Sequence, residues 1–237
     1  MPDLFDDPAQ PAAAKVQRPL ADRIRPQRLS DVIGQAQVLG PDGPMGAMLA
    51  AGSLSSLVLW GPPGVGKTTI ARLLAAETDR AFVQISAIFT GVPDLRKVFD
   101  TAKLRLTQGR GTLLFVDEIH RFNKAQQDSF LPHMEDGTIL LVGATTENPS
   151  FELNAALLSR AQVMILTRLT LGDLERLAQR AEQELTRALP LTPQARERLL
   201  EMADGDGRAL LNLIEQIAAW TVTAPLDPQA LAQRLMR

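Results

Sequence analysis

The chain has 237 residues, of which 45% are hydrophobic and 22% are charged, and its net charge is −2. This is enough for one large or two small globular domains, and the absence of cysteine excludes disulfides, thiolate metal sites and a cysteine nucleophile. The slightly acidic balance gives no overall nucleic-acid signature, so any contact with DNA must come from a local basic patch.

The N-terminal segment predicts a flexible tail over residues 1–17, because it is rich in alanine, proline, glutamine and aspartate. Residues 3–5 form the tripeptide Asp-Leu-Phe, a weak candidate anchor for a sliding clamp, although such tripeptides are common by chance. The tail lacks the basic and apolar regions of a signal peptide, and no apolar run approaches the ~20 residues that cross a bilayer. We therefore expect a cytoplasmic protein without membrane contact.

Short apolar runs then alternate with helical patterns. A basic turn over 19–26 and an apolar corner at 32–35 precede a helix over about 45–51. Strands that read as fully buried are predicted at 57–60, 82–85, 112–116, 139–143 and 162–166. Helices are predicted at 67–78, 93–107, 123–135 and 152–158. This alternation predicts an α/β fold with a parallel five-stranded sheet and helices on both faces.

The pattern changes near residue 168, after which no strand is predicted. Four amphipathic helices follow at 170–188, 193–203, 207–220 and 227–236, separated by prolines and glycines. We expect an α/β nucleotide-binding domain over 18–168 and a small all-helical lid domain over 169–237.

The strongest motif lies between the first strand and the helix after it, where residues 61–68 match G-x-x-x-x-G-K-[ST] in full. Its glycines let backbone N–H groups surround phosphate oxygens, and the helix N-terminus favours the same anion. Lys67 is placed to reach the β- and γ-phosphates of ATP, and the Thr68 hydroxyl to bind Mg²⁺. The predicted nucleotide-binding residues are Gly61, Pro62, Pro63, Gly64, Val65, Gly66, Lys67, Thr68 and Thr69. The strand–loop–helix context argues against a glycine-rich turn with a chance lysine.

Two carboxylates end the strand that begins at residue 112. Asp117 is the candidate second Mg²⁺ ligand, and Glu118 is suited to polarise the water that attacks the γ-phosphate. An acidic pair at a strand end can also merely cap the following turn, but the complete phosphate loop upstream favours catalysis.

Hydroxyl groups end the next strand. In such sheets ligands lie at the carboxyl ends of the strands, so Thr146 can contact the γ-phosphate or the attacking water, with Asn148 as second choice. A simple turn built by these residues is the alternative. Two arginines also have two interpretations each: Arg160 is a surface charge or a finger that reaches a neighbour's site, and Arg208 is a surface residue or a contact to the γ-phosphate.

A basic group lies between the second and third strands. It is the candidate DNA contact, with an ordinary solvated helix face as the equal alternative. Its members are Arg96, Lys97, Lys103, Arg105 and Arg110.

These motifs, in this order, resemble the AAA+ P-loop ATPases. The resemblance is closer to the replication-associated recombination protein A family, to which the Werner-helicase-interacting ATPases are related. It covers about residues 18–220. The runs that carry it are 19–26, 33–35, 59–64, 115–128, 131–133, 135–139, 143–154 and 156–160.

The resemblance implies specific roles. Ile33, Gly34 and Gln35 would line the adenine pocket, Thr146 would be the first sensor, Arg160 a finger acting in trans, and Arg208 the second sensor. It also implies a homo-oligomeric ATPase, stimulated by single-stranded, gapped or forked DNA, that works at stalled forks beside single-strand-binding protein.

The chain departs from the family pattern in two places. Residues 207–212 keep only the first arginine of the usual pair, and relatives continue beyond the position of Arg237 into a helical region that carries tetramerisation. The oligomeric state, and whether the chain is a fragment or a short form, stay open. The alternatives in function are a clamp-loader-like subunit, a Holliday-junction branch-migration motor and an ATP-gated binding module with little turnover.

Overall fold

The computed structural model describes residues 18–235, so the expected tail over 1–17 and its candidate clamp anchor lie outside the described residues. Five strands and thirteen α-helices are present in the described part. The strands are β1 (Leu57–Trp60), β2 (Ala81–Ser86), β3 (Thr112–Asp117), β4 (Ile139–Thr145) and β5 (Gln162–Ile165). The helices before β5 are α1 (Leu20–Arg23), α2 (Ala36–Leu39), α3 (Pro44–Ala50), α4 (Lys67–Glu77), α5 (Val92–Thr107), α6 (Lys124–Asp128), α7 (Leu131–Glu135), α8 (Pro149–Glu152) and α9 (Ala155–Leu158). Those after it are α10 (Leu171–Leu185), α11 (Pro193–Ala203), α12 (Gly207–Ala218) and α13 (Pro228–Leu235).

The strands form one all-parallel sheet in the order β2-β3-β4-β1-β5, which confirms the predicted fold class. In this order β1 pairs with both β4 and β5, and Trp60 lies opposite Thr145 on β4. On the other side of β4, Val116 of β3 lies opposite Gly143. Because the strands are parallel, the segments that follow β1, β3 and β4 emerge side by side at the carboxyl ends of the strands.

Burial of the strands follows their place in the sheet. Strands β3 and β4 are almost wholly buried, whereas every residue of β2 retains some exposure. Strand β2 is one edge strand of the sheet and β5 is the other, and Val163 and Ile165 of β5 are exposed. The prediction of five fully buried strands was therefore wrong for the two edge strands. An apolar sequence does not reveal whether a strand lies at the centre of a sheet, where helices cover it, or at its edge.

Two predicted helices are each divided into two. The prediction over 123–135 corresponds to α6 and α7, and Pro132 occupies the first turn of α7, where its missing N–H leaves no intrahelical bond unmade. The prediction over 152–158 corresponds to α8 and α9. Asn148 and Asn154 each cap one of them by accepting a hydrogen bond from a backbone N–H.

The four helices α10–α13, which we call the lid, share an apolar core that includes residues from the start of the chain. Leu20 and Ile24 pack into this core, and the backbone N–H of Leu20 donates to a carboxylate oxygen of Glu215 on α12 at 3.0 Å. The segment before the sheet thus contacts the lid. The predicted division into domains at residue 168 stays a prediction.

Within residues 18–235, none of the helices combines the length and the apolar character that crossing a bilayer requires.

Candidate functional site

A cleft opens at the carboxyl edge of the sheet, between the sheet and the lid. It brings together twelve of the sequence-predicted residues: Ile33, Pro63, Gly64, Val65, Gly66, Lys67, Thr68, Thr69, Asp117, Glu118, Thr146 and Arg208. Gly34, Gly61, Pro62 and Arg160 do not line it. Residues that sequence reasoning did not assign to the site also line it, and they come from the N-terminal segment and from the lid.

The loop between β1 and α4 has the backbone that a phosphate cradle requires. Gly64 and Gly66 have φ angles of +70° and +99°, a region that residues with a Cβ rarely adopt. Lys67 is the first residue of α4, so the unpaired N–H groups of the helix start face the cleft region. The Lys67 ammonium donates to the carbonyls of Gly61 at 2.6 Å and Pro62 at 2.8 Å. These two residues therefore hold the lysine from behind the cleft.

The charge state of Lys67 reflects opposing influences. Burial lowers the pKa of the Lys67 ammonium below its ordinary value, and the positive charge of Arg208 adds to this effect. The nearby carboxylates of Glu118 and Asp117 act in the opposite direction. A phosphate group would add negative charge beside the ammonium and so favour its charged form.

Asp117 and Glu118 lie where β3 ends. Asp117 is the last residue of the strand, and its backbone carbonyl accepts a hydrogen bond from Ala87 at 3.0 Å. Glu118 has a φ of +53°, a left-handed conformation that is uncommon for a residue with a side chain and is frequent at functional sites. The turn points both carboxylates toward the cleft that the phosphate loop also lines.

The donor set fits Mg²⁺ rather than a metal held by protein alone. Among the described residues there is no group of three or more histidine, cysteine or acidic side chains able to hold a metal. Thr68 and Asp117 nevertheless line one cleft beside the phosphate loop, and each offers an oxygen. Mg²⁺ is commonly held by one or two such oxygens together with phosphates and water.

The two threonines after β4 differ in their surroundings. Strand β4 ends at Thr145, which is fully buried, whereas Thr146 lies one residue beyond the strand and faces the cleft. Asn148 does not line the cleft, since its side chain caps α8. The geometry thus favours Thr146 over Asn148 as the polar group near the nucleotide.

Only the first two residues of the corner at 32–35 line the cleft, and the other two pack against residues 167–169. Val32 and Ile33 line the cleft. Gly34 has a φ of +76°, and a Cβ there would lie 2.7 Å from Leu169, so this position accepts only glycine without rearrangement. Gln35 is 3% exposed, and its side-chain amide donates to the Thr167 carbonyl at 2.7 Å and accepts from the Thr167 N–H at 3.0 Å. Gln35 therefore does not line the cleft, but its side chain joins this corner to Thr167.

Arg25 is a cleft residue that the sequence reasoning treated only as part of a basic turn. Its guanidinium donates to the Thr69 hydroxyl at 3.1 Å and pairs with Asp22. Leu177, Arg180 and Leu211 of the lid also line the cleft. Amphipathic spacing alone could not separate Leu177 and Leu211 from the rest of the lid's apolar face, because both groups of side chains face inward.

Arg160 lies near the amino ends of the strands, away from the cleft at their carboxyl ends. It precedes β5, and it lines a second cavity with residues that precede β1 and begin β4. Its guanidinium pairs with Glu135 at 2.6 Å. Arg160 and the phosphate loop of the same chain are therefore separated by the length of the strands.

Comparison with known proteins agrees with this geometry. Residues 57–169 match the family model described as the ATPase family associated with various cellular activities (AAA). Replication-associated recombination protein A of Escherichia coli K12 is 47% identical over 206 residues, which are 85% of this chain and 46% of that protein. The protein of the same name from Coxiella burnetii is 49% identical over 205 residues, 84% of this chain and 46% of that protein. This chain belongs to the AAA family of ATPases, in the branch of replication-associated recombination protein A.

Further relatives show how wide this branch and its fold are. The ATPase WRNIP1 of Dictyostelium discoideum is 44% identical over 92% of this chain and 25% of its own length. Among solved structures, the RuvB Holliday junction branch migration motor of Thermotoga maritima superposes with a TM-score of 0.72 at 28% identity, over 90% of this chain and 72% of that chain. The chain spans about half the length of the two replication-associated recombination protein A relatives from Escherichia coli and Coxiella burnetii.

Proposed function

We propose that this chain binds and hydrolyses Mg-ATP and couples hydrolysis to work on DNA during replication-fork maintenance and recombination. The observation that carries the proposal is the convergence of Lys67, Asp117, Glu118, Thr146 and Arg208 on one cleft, in a chain of the replication-associated recombination protein A branch.

The proposal gives each side chain a role. The phosphate-loop N–H groups and Lys67 bind the phosphates, and Thr68 and Asp117 would hold Mg²⁺, which neutralises developing charge on the phosphate oxygens. Glu118 orients and deprotonates the attacking water. Thr146 and Arg208 contact the γ-phosphate from the sheet and from the lid. Ile33 covers one side of the adenine.

The remaining parts of the proposal concern partners. By analogy with the family, we propose a homo-oligomer in which Arg160 of one subunit reaches the nucleotide of the next. The DNA would be single-stranded, gapped or forked, in the cytoplasm at the nucleoid and beside single-strand-binding protein. We also propose that residues 3–5 bind a sliding clamp, on the basis of the tripeptide alone.

A direct test is the rate of ATP turnover by the parent chain with and without single-stranded, gapped and forked DNA. Lys67→Ala should lose ATP binding, whereas Glu118→Gln should bind ATP and retain it unhydrolysed, because it keeps the shape of the side chain but loses the base. ATP turnover by Lys67→Ala at the parent rate would contradict the site.

A second candidate function, branch migration, is favoured by the similarity to the Thermotoga motor. Including a four-way junction among the DNA substrates distinguishes it, since a branch-migration ATPase should respond most strongly to that structure. Tight ATP binding without turnover on any DNA would instead favour an ATP-gated binding module.

A further inference from the structure

The imidazole of His120 lies between two groups of the proposed ATPase site. Its side chain is only 5% exposed, and Nδ1 lies 2.9 Å from the Thr145 hydroxyl and 3.5 Å from a carboxylate oxygen of Glu118. One ring nitrogen therefore faces both the proposed base and the end of β4. His120 itself is not among the residues that line the cleft.

Thr145 connects this contact to Thr146. Its buried hydroxyl accepts a hydrogen bond from the Glu147 N–H at 3.0 Å and lies 3.3 Å from the Glu147 carbonyl. These contacts close a tight turn, and Thr146 is the residue between their two ends. The side chain that touches His120 thus fixes the turn that presents Thr146 to the cleft.

The backbone of Glu118 brings the ring into this position. Glu118 is left-handed, and its carbonyl accepts from the Arg121 N–H at 2.8 Å, which turns the chain sharply after β3. His120 consequently lies within reach of both the Glu118 carboxylate and the Thr145 hydroxyl at the end of β4.

One placement of hydrogen atoms accounts for all of these contacts. An ionised carboxylate can only accept, so Nδ1 must carry a hydrogen when it faces Glu118. The same N–H can donate to the Thr145 oxygen, whose own hydrogen is then directed to the Glu147 carbonyl. This arrangement is assigned from the network of partners.

We propose that His120 is a positioning residue for ATP hydrolysis, which holds the Glu118 carboxylate and, through Thr145, the Thr146 turn in a single arrangement. The inference rests on the proposed ATPase function. The alternative is that the ring only fills space between β3 and β4, in which case its nitrogen atoms have no bearing on the rate.

Two substitutions separate these roles. His120→Phe keeps the ring and removes both nitrogens, whereas His120→Asn places an amide close to the position of Nδ1. If His120 positions Glu118, His120→Phe should lower kcat on the order of tenfold to a hundredfold, as small misplacements of catalytic groups do. KM and the affinity for ATP should stay at the parent values, and His120→Asn should recover part of the lost kcat.

Thr145→Val tests the second contact, since valine matches threonine in shape and lacks the hydroxyl. It should also lower kcat, and its combination with His120→Phe should cost less than the product of the two single effects, because both act through one network. Thermal melting of each variant, measured alongside turnover, reports whether the fold is retained.

A kcat of His120→Phe equal to that of the parent would overturn the inference. So would a lower kcat that His120→Asn does not restore and that is accompanied by a fall in melting temperature or ATP affinity. If the parent chain turns over ATP and His120→Phe is unaffected, only the role of His120 fails. A parent chain that binds ATP without any turnover would overturn the proposed function and this inference together.

Discussion

The backbone N–H of Gly207 donates a hydrogen bond to the carbonyl of Gly64 at 3.2 Å, and this contact joins the first residue of α12 to the phosphate loop. Asp206, which caps α12, lies so close that a Cβ on Gly64 would be 1.7 Å from its Oδ1 atom. The start of the lid and the centre of the phosphate loop are thus in direct contact. Any shift of α12 relative to the sheet must break this contact or move the loop.

Gly64→Ala should therefore disturb both the loop and the lid. The new methyl group would meet Asp206 and would also be strained by the φ of +70°. We expect loss of ATP affinity and a lower melting temperature. Gly52→Ala is the matched control, because its φ is +63° but nothing lies within 4 Å. It should show only the cost of the left-handed backbone, about 1 kcal/mol. Equal effects of the two substitutions, in isothermal titration and melting, would contradict the packing argument.

Lys67→Met should separate binding from stability. Burial lowers the pKa of Lys67, which means that the folded protein disfavours its charge. Removing the charge should leave the melting temperature of the nucleotide-free protein unchanged or raise it, while ATP binding is lost. In the parent, unfolding free energy should rise with pH as the ordinary lysine pKa is approached from below, because the unfolded chain holds this proton more tightly.

Lys97→Met is the control for that prediction. Lys97 is exposed and pairs only loosely with Asp94, at 3.8 Å, so its replacement should alter neither melting nor ATP binding. A clear fall in melting temperature for Lys67→Met alone would show that the bonds from Lys67 to Gly61 and Pro62 outweigh the burial of charge.

Arg160 should act on the neighbouring subunit, because it lies at the edge of the sheet opposite its own phosphate loop. Specific ATPase activity should then rise with protein concentration, and Arg160→Ala should abolish the rise without weakening ATP binding. The finger can contribute ~10³-fold or more in rate. Mixing Arg160→Ala with Lys67→Ala should restore turnover, since the intact site of the first receives the arginine of the second.

The double variant Lys67→Ala/Arg160→Ala is the control for that mixture. It supplies neither a site nor a finger, so adding it to Arg160→Ala should restore nothing. Activity per subunit that stays constant on dilution of a demonstrated monomer would instead give Arg160 a role within its own chain, through the pair with Glu135.

The basic group around α5 should govern the salt dependence of DNA binding. Arg96, Lys97, Lys103 and Arg110 are exposed and Arg105 is half-buried. If three of these residues contact phosphates, changing Arg96, Lys97 and Lys103 to glutamine should reduce the salt slope by ~0.7 per lost contact on single strands. Changing Arg176 and Arg198, two exposed lid arginines in local ion pairs, should leave the slope unaltered. An unchanged slope in the triple variant would leave α5 a solvated face.

Local sequence signals predicted the elements of this fold well, because they depend on neighbours in the chain. The match at residues 61–68 requires a strand, a loop and a helix, and β1 and α4 lie where it predicts them. The order of the strands is not a local property. Whether Val163 and Ile165 are covered depends on β5 lying at an edge, which no periodicity within residues 162–165 records.

The candidate site was predictable to the extent that its residues belong to motifs. Asp117, Glu118 and Thr146 were found because each follows a buried strand. Arg25 was missed as a cleft residue because its contact with Thr69 crosses 44 residues of chain. The left-handed backbone of Glu118 could not be predicted from the sequence either. Glutamate has no preference for that conformation, and the surrounding fold imposes it.

The two hydrogen bonds between Gln35 and Thr167 have a consequence for the order in which the chain folds. The two residues are 132 positions apart, so the bonds between them close almost the entire sheet-forming part of the chain into one loop. During synthesis from the N-terminus, the Gln35 side chain lacks its Thr167 partner until β5 has been made. A nascent chain that ends before Thr167 can carry a complete phosphate loop, yet the wall formed by Val32 and Ile33 still lacks the bonds that join Gln35 to Thr167. Competence to enclose a nucleotide behind an anchored wall therefore requires that synthesis has passed Thr167.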